Sequence, residues 1–329
     1  MKIHTGDALK ILQGMPDESI DCVITSPPYY ALRDYGTEGQ IGLEPTHWDY
    51  LVHLSMIFDE CKRVLKKTGT CWVNLGDTYG GSGNGYGDKK SDPKFGAGRS
   101  RTIKPTNTRN AGAGSVSRHN EGKSLLQIPA RFAIQMTDRG WILRNKLIWH
   151  KPNAMPQSVK DRFTVDYEEL LFFTKSKKYY FEQQLEPLDD RTLPRYNRGS
   201  STDTKMAGGG KSMQGHKGYF KADGSPLFNP KGRNKRSVWS ISTQSYGGAH
   251  FAVFPEALVR TPILAGCPRG GVVLDPFMGS GTTLAVAAQE GREGIGIELN
   301  AEYVELARER LAKAQVRLPL GDTLHHGVE

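Results

Sequence analysis

The sequence predicts an α/β fold built on a parallel sheet and carrying two irregular, basic insertions. Two observations support this. Short apolar runs alternate with segments of helical periodicity. Two of these runs also end in turn motifs, Thr-Ser-Pro-Pro-Tyr-Tyr at residues 25–30 and Asp-Pro-Phe-Met-Gly-Ser-Gly-Thr-Thr at residues 275–283. Because open α/β sheets bind ligands just beyond the carboxyl ends of their strands, both turns are candidate binding segments.

The first third of the chain predicts alternating strands and helices. Residues 21–25 form an apolar run that Pro27 and Pro28 must end, because neither proline can donate a hydrogen bond to a sheet. Apolar side chains recur at helical spacing over residues 48–67, and residues 70–75 are again strand-like. A strand, a helix and a second strand at this spacing predict a parallel sheet.

The middle of the chain is less regular. Residues 80–123 predict a mobile basic loop, because no hydrophobic periodicity is present and residues 84–123 hold nine Lys and Arg against three acidic residues. A second irregular stretch, rich in Gly, Lys and Arg, covers about residues 181–236. The regular elements predicted between the two stretches are a helix at 125–139, strands at 141–150 and 167–174, and a connecting loop at 151–166.

The final block, residues 250–314, is the most regular part of the chain. It predicts a helix followed by strand, helix, strand and helix at 271–274, 282–290, 294–298 and 301–314. We therefore predict one α/β domain interrupted by two basic insertions.

The amino-acid composition indicates what kind of partner and cellular compartment the protein has. The formal charge is +9, from 44 Lys and Arg against 35 Asp and Glu, which favours a polyanionic partner, although a merely soluble basic surface also fits. The four cysteines are scattered without zinc or redox spacing, so we expect free thiols in a reducing cytosol. No segment has a signal core or membrane-spanning length, which predicts a cytoplasmic protein with no membrane partner.

The glycine-rich turn at residues 275–283 is suited to a small ligand. Gly279 and Gly281 leave no Cβ to block an approaching group, and Glu298 ends the next predicted strand, where an acid can hold both hydroxyls of a ribose. A phosphate loop requires Lys where Thr282 stands, and a dinucleotide site requires Gly where Leu284 stands. S-adenosylmethionine, which has no phosphate, fits best, with Asp275 facing its ammonium group; a purely structural turn is the remaining alternative.

The Ser-Pro-Pro-Tyr turn is suited to a planar amine. A Ser26 hydroxyl and the Pro27 carbonyl, held rigid by Pro28, offer acceptors for amino hydrogens, and the Tyr29 ring offers a face for a base. Taken alone, the motif also fits a strand-terminating turn with a packed tyrosine.

Together, the two motifs resemble those of site-specific DNA amino-methyltransferases of the β order, in which the catalytic Ser-Pro-Pro-Tyr segment precedes the Asp-Pro-Phe-x-Gly-x-Gly-Thr cofactor segment. The resemblance implies a doubly wound, mostly parallel sheet of the Rossmann-like class I methyltransferase type. This sheet is circularly permuted in sequence and has a reversed strand near one edge. It also implies a catalytic half at 1–180, a target-recognition insertion at 181–240, a cofactor-binding half at 241–315 and a tail at 316–329.

The resemblance assigns residues to each role. It implies S-adenosyl-L-methionine as the cofactor, double-stranded DNA as the substrate and no metal. The catalytic residues are Ser26, Pro27, Pro28 and Tyr29. The cofactor-binding residues are Asp7, Phe254, Pro255, Asp275, Phe277, Gly279, Gly281, Thr282, Thr283, Glu298 and Asn300.

The target base is left between two candidates. Within the family, Ser before Pro-Pro-Tyr is more usual in enzymes that make N4-methylcytosine, and Asp or Asn in those that make N6-methyladenine. Both bases present an amino group beside a ring-nitrogen acceptor, so Ser26 favours cytosine without excluding adenine. The resemblance also implies a restriction–modification or phage-protection role at the nucleoid, with a homodimer and a separately encoded endonuclease as partners. A catalytically inactive DNA-binding regulator of the same fold is the alternative from another class.

Overall fold

The computed structural model describes residues 1–80, 123–188, 229, 231–245 and 252–316. The chain divides into two compact units, one formed by Met1–Tyr180 with Val238–Glu329 and the other by Phe181–Ser237. Most of the loop predicted at 80–123, most of the insertion predicted at 181–240 and all but the first residue of the predicted tail lie outside the described residues.

Twelve strands and six helices are described. The strands are β1 Lys2–Thr5, β2 Ile20–Thr25, β3 Leu65–Leu75, β4 Ile142–His150, β5 Tyr167–Thr174, β6 Leu185–Glu186, β7 Arg233–Asn234, β8 Val238–Ser240, β9 Gln244–Ser245, β10 Ala252–Val253, β11 Val272–Asp275 and β12 Glu293–Glu298. The helices are α1 Ala8–Gln13, α2 His47–Val64, α3 Ile128–Asp138, α4 Glu256–Gly266, α5 Thr282–Gln289 and α6 Ala301–Val316. No described helix has both the length and the apolar character needed to cross a bilayer.

The larger unit is built on one eight-stranded sheet with the order β1-β12-β11-β2-β3-β5-β4-β8. Strand β5 runs antiparallel to both of its neighbours, β3 and β4. The other neighbouring pairs in this sheet are parallel. This confirms the predicted α/β class and its mostly parallel sheet. In the smaller unit, β6 and β7 pair antiparallel.

Helices cover both faces of the sheet because its central strands are apolar on both sides. Val23 and Leu274 face a core that includes side chains of α1, α2 and α3. Their neighbours Cys22 and Val273 face a second core that includes side chains of α4 and α5. Successive side chains of a strand point to opposite faces, and this alternation produces the doubly wound arrangement.

The N-terminal part differs from the prediction in two places. Strand β1 and helix α1 lie in a segment where no element was predicted, and β1 pairs with the distant β12. Strand β3 begins at Leu65, whereas residues 66 and 67 were predicted to end a helix. Leu65 pairs with Ile20, and the Lys66 ammonium bonds both carboxylate oxygens of Asp21 at 2.9 Å. Tertiary pairing therefore starts the strand earlier than local periodicity indicates.

A buried carboxylate joins the ends of β2 and β11. These neighbouring parallel strands stop side by side, and Thr25 Oγ1 donates to Asp275 Oδ1 at 2.6 Å. Thr283 Oγ1 donates to Oδ2 at 2.6 Å and the Phe277 amide to Oδ1 at 3.0 Å. Burial raises the pKa of Asp275 to about 6, although these hydrogen bonds act in the opposite direction. The two turns that follow β2 and β11 are thereby fixed to each other.

Gly281 allows α5 to pack closely against α6. Its φ is +78°, and a Cβ at this position would lie 2.9 Å from the Cβ of Ala307. Gly270 has a similar φ of +72° but no neighbouring atom within 4 Å of such a Cβ. Both glycines have a positive φ, but only Gly281 is closely approached by a neighbouring helix, α6.

We expect Gly281→Ala to be more destabilising than Gly270→Ala by about 1–3 kcal/mol, the usual cost of overpacking. Both variants bear the strain of a left-handed alanine, so their difference isolates the contact with Ala307. Denaturant unfolding of the two variants measures this difference. Equal losses of stability would contradict the packing role.

We expect Asp275→Asn to remove one contribution to stability that falls as pH rises. The pKa of about 6 exceeds the value of about 3.9 in an unfolded chain, so the folded state binds the proton more tightly. The contribution of Asp275 to stability therefore falls as pH rises from about 4 to 6. Between pH 5 and 7, the unfolding free energy of the variant should rise by about 1 kcal/mol relative to the native protein. Denaturant titrations at both values measure this change, and parallel pH profiles would contradict it.

Candidate active site

A cavity of about 360 Å³ lies at the carboxyl ends of the central parallel strands and is lined by both predicted turns. The Ser-Pro-Pro-Tyr turn follows β2, and the glycine-rich turn follows β11. The predicted residues that line the cavity are Asp7, Ser26, Pro27, Pro28, Tyr29, Phe254, Asp275, Phe277, Gly279, Thr282, Thr283, Glu298 and Asn300. Two segments about 250 residues apart in sequence thus share one site.

Two predicted cofactor residues are not part of this lining among the described residues. Gly281 faces Ala307, so its lack of a side chain allows close helix packing. Pro255 is buried at the N-terminal cap of α4. The assignment of both residues to the cofactor site stays a prediction, and neither contributes to the cavity lining described above.

Gly279 and Glu298 define one side of the cavity. Gly279 has a φ of +52°, and a Cβ built on it would meet no atom within 4 Å, so its backbone is open to a ligand. Its amide donates to Glu298 Oε2 at 2.8 Å, and the Asn300 amide donates to Oε1 at 2.8 Å. Burial raises the pKa of Glu298. Two backbone amides thus orient this carboxylate, and each of its oxygens keeps a lone pair for a ligand.

The same side has a helix start and aromatic surfaces. Asp7 caps α1, and its Oδ1 accepts the Lys10 amide at 2.9 Å. Phe277, Tyr35 and Tyr303 line the cavity, and the two tyrosine rings meet edge to face at 6.3 Å. An open backbone, a fixed carboxylate and aromatic faces suit a ligand that contains a ribose and a flat base.

Asp275 is more enclosed than its predicted role requires. The residue is 3% exposed, and Thr25, Phe277 and Thr283 already donate to its carboxylate. Each carboxylate oxygen accepts about two hydrogen bonds, so only Oδ2 retains capacity for a further donor. Asp275 therefore fixes the turn and offers at most one further acceptor to a ligand.

The Ser-Pro-Pro-Tyr turn forms the opposite side and is held from outside the cavity. The hydroxyl of Tyr50, on α2, donates to the Pro28 carbonyl at 2.8 Å. The Tyr29 ring lies against Gly76, where a Cβ would lie 2.5 Å from ring atom Cε2. Only glycine at position 76 therefore leaves room for the tyrosine.

The Tyr29 hydroxyl belongs to a polar network that sequence reasoning missed. It donates to Glu168 Oε2 at 2.6 Å and accepts from Asn74 Nδ2, and Ser26 Oγ lies 3.4 Å away. Burial, together with the charge of Glu168, raises the pKa of Tyr29 well above its usual value. The tyrosine is therefore neutral at physiological pH.

Glu168 is the centre of this network. Asn74 Nδ2 donates to its Oε2 at 2.7 Å, and the Lys151 ammonium bonds its Oε1. Lys151 also lies 4.5 Å from the centre of the Trp149 ring. Asn74 lies one residue before the carboxyl end of β3 and Lys151 directly follows β4, where a parallel sheet places its ligands. Glu168, in contrast, lies near the start of β5, and its place at the cavity follows from the reversal of that strand.

The arrangement is suited to holding a polar planar group between oxygen acceptors and aromatic rings. No group of three or more His, Cys, Asp or Glu side chains with the spacing of a metal site occurs among the described residues. All four cysteines are buried free thiols. Ser26, Tyr29 and Glu168 are the reactive polar groups on one side, and Glu298 is the fixed carboxylate on the other.

Comparison with known proteins places the chain in a family. A family model described as DNA methylase matches residues 20–309. The type II methyltransferase M.SmaI of Serratia marcescens is 39% identical over 314 residues, covering 95% of this chain and 91% of that protein. M.Cfr9I of Citrobacter freundii is 40% identical over 309 residues, covering 94% of this chain and 87% of that protein.

Solved structures share the fold. PvuII DNA methyltransferase, described as cytosine-N4-specific, matches with a TM-score of 0.59 and 19% identity, covering 95% of this chain and 89% of that one. A DNA modification methylase of Thermus thermophilus, complexed with S-adenosyl-L-methionine, matches with a TM-score of 0.55 and 22% identity over 95% of both chains. The family match over residues 20–309 and the relatives about two-fifths identical along nearly the whole length show that this chain belongs to the site-specific DNA amino-methyltransferases.

Proposed function

We propose that this chain transfers a methyl group from S-adenosyl-L-methionine to the exocyclic N4 of a cytosine within a specific site of duplex DNA. The observation that carries the proposal is the single cavity that joins the Ser26–Tyr29 turn to Gly279 and Glu298. A methyl donor and an amino acceptor must meet for transfer, and this cavity has a suitable surface for each.

The cofactor side fits S-adenosylmethionine, which supplies an activated methyl carbon when bound. Gly279 leaves its backbone open, and Glu298 presents a carboxylate whose orientation two amides fix, as the hydroxyls of a ribose require. Phe277 and Asp7 line the same side. This site contains no lysine at residue 282 for a phosphate, in keeping with a cofactor that has none.

The target side fits an amino group on a flat ring. Ser26 Oγ and the Pro27 carbonyl accept the amino hydrogens and favour the charge that develops on the nitrogen as it is methylated. The Tyr29 ring, held by Gly76 and Glu168, limits the plane in which a base can lie. Because base pairing occupies the Watson–Crick edge, the target must leave the helix before it enters the cavity.

Ser26 supports cytosine over adenine. A neutral hydroxyl replaces the carboxylate or amide that is more usual in the adenine enzymes, and the PvuII enzyme of the same fold is described as cytosine-N4-specific. Adenine-N6 transfer is the alternative. The opposing class, a regulator without activity, is disfavoured because both motifs are intact and most of their residues line one cavity.

The net charge of the protein and the names of its relatives support a cellular role in DNA protection. The excess of 44 basic over 35 acidic residues supports binding to double-stranded DNA, with residues 84–123 and 181–236 as proposed contact segments. The relatives are named type II methyltransferases, which supports a protective role in restriction–modification at the nucleoid of the cytoplasm, alongside a separately encoded endonuclease. A homodimer is the proposed assembly.

Nucleoside analysis tests the proposed product. DNA from cells that express the protein is digested to nucleosides, separated and identified by mass. We expect N4-methylcytosine at one recurring sequence. N6-methyladenine in its place would establish the adenine alternative, and binding of DNA without any methyl transfer would establish the inactive regulator.

The two sides of the cavity should respond differently to mutation. We expect Ser26→Ala to slow single-turnover transfer by about 100-fold while changing cofactor affinity by less than about threefold, because its hydroxyl acts on the nitrogen. Tyr29→Ala should behave similarly. Glu298→Ala should weaken cofactor binding by about 10–100-fold, because it removes the carboxylate proposed to accept hydrogen bonds from the ribose hydroxyls. Isothermal titration and rapid-quench assays measure the two effects.

Two exposed residues outside the cavity lining provide matched controls, Ser124→Ala and Glu302→Ala. Both should leave transfer and cofactor affinity unchanged. An equal loss of cofactor affinity in the Ser26, Tyr29 and Glu298 variants would contradict the division of roles.

A further inference from the structure

Three polar groups in the cavity form a chain that ends in a carboxylate. Ser26 Oγ lies 3.4 Å from the Tyr29 hydroxyl, which lies 2.6 Å from Glu168 Oε2. All three residues line the cavity, and the Glu168 side chain is only 14% exposed. The chain therefore runs from the predicted position of the target amine to a mostly enclosed negative charge.

The hydrogen-bond inventory fixes the direction of this chain. An ionised carboxylate only accepts, so the single Tyr29 hydroxyl proton is donated to Glu168. The Tyr29 oxygen must then accept from its other two neighbours, Asn74 Nδ2 and Ser26 Oγ. The Ser26 proton thus points toward Tyr29, which leaves the Ser26 lone pairs available to an amino hydrogen in the cavity.

We propose that Ser26, Tyr29 and Glu168 form a proton-transfer chain that removes the proton released when the target amine is methylated, with Glu168 as the final acceptor. This inference rests on the proposed function and deepens it. It explains how an enzyme with a neutral serine at the reacting nitrogen supplies a base: the carboxylate is present two groups away, on β5.

The step balances without a change in oxidation state. As the nitrogen gains the methyl group, one of its N–H bonds breaks and an O–H bond forms at Ser26. The original Ser26 proton passes to Tyr29, and the original Tyr29 proton passes to Glu168. The amine loses one proton, the carboxylate gains one and both hydroxyls are regenerated. Glu168 releases the proton to solvent before the next turnover.

The surroundings of the chain support a concerted transfer. Burial and the charge of Glu168 raise the pKa of Tyr29, which disfavours a separate tyrosinate. The Asn74 amide and the Lys151 ammonium hold the Glu168 carboxylate in place. The 3.4 Å contact between Ser26 and Tyr29 is long for two hydroxyls, and catalytic hydrogen bonds commonly tighten when the substrate binds.

The test compares Glu168→Gln with the native protein in single-turnover transfer to a methylatable duplex. Glutamine can still accept the Tyr29 hydrogen bond but cannot take up its proton. We expect transfer to slow by about 100-fold, the lower range for general base catalysis, with DNA and cofactor affinities within about threefold. We also expect the native enzyme to show a normal solvent deuterium isotope effect on this step and the variant to lose it.

Two further variants separate proton transfer from positioning. Glu169→Gln removes the adjacent carboxylate, whose Oε2 lies 2.9 Å from Lys146 Nζ and which points to the other face of the sheet. This control variant should retain both the transfer rate and the isotope effect. The double variant Tyr29→Phe with Glu168→Gln should transfer methyl groups no more than about threefold more slowly than the slower of the two single variants. Rate losses do not add when two residues serve the same proton-transfer step.

The possible results of this test separate failure of the proton-transfer proposal from failure of the proposed function. Absence of transfer by the native protein would overturn the proposed function. Native transfer with an unimpaired Glu168→Gln variant, or a slowed variant that keeps the isotope effect, would overturn the proton-transfer chain alone. Thermal unfolding and cofactor titration of each variant confirm that a lost rate does not reflect a lost fold.

Discussion

The hydrogen bond from Thr25 to Asp275 holds together the two halves of the site. Strands β2 and β11 are separated by about 250 residues, yet they pair in parallel and end side by side, so their following turns line one cavity. The Asp275 carboxylate is buried and accepts hydrogen bonds from residues of both turns. Burial disfavours its charged form and raises its pKa to about 6. Together with the strand pairing, this bond fixes the surface proposed for the methyl donor beside that proposed for the amine.

The reversal of β5 completes the target side of the cavity. In a parallel sheet only carboxyl ends reach the ligand edge, whereas an antiparallel strand brings its beginning there. Glu168, near the start of β5, therefore lies at the cavity, where it contacts Tyr29, Asn74 and Lys151. These three residues lie at or just beyond the carboxyl ends of β2, β3 and β4. The polar network that fixes Tyr29 therefore depends on four segments, and on the glycine at position 76 that leaves space for its ring.

Glycines with similar backbone angles have different roles in this fold. Gly279 has open space where a side chain would be, which suits a ligand, whereas Gly281 has Ala307 there, which suits helix packing. The sequence motif contains both glycines and does not distinguish them. The distinction arises from α6, which follows α5 and β12 and packs on only one of the two positions.

The sequence by itself determined the α/β class, the approximate bounds of the central strands and helices, and both turns of the site, because these depend on local periodicity and on residues that end strands. Only the tertiary structure decided that β1 pairs with β12, that β3 begins at Leu65, and that Gly281 serves packing. It also placed Glu168 beside Tyr29. Each of these depends on contacts between distant segments, which local patterns do not encode.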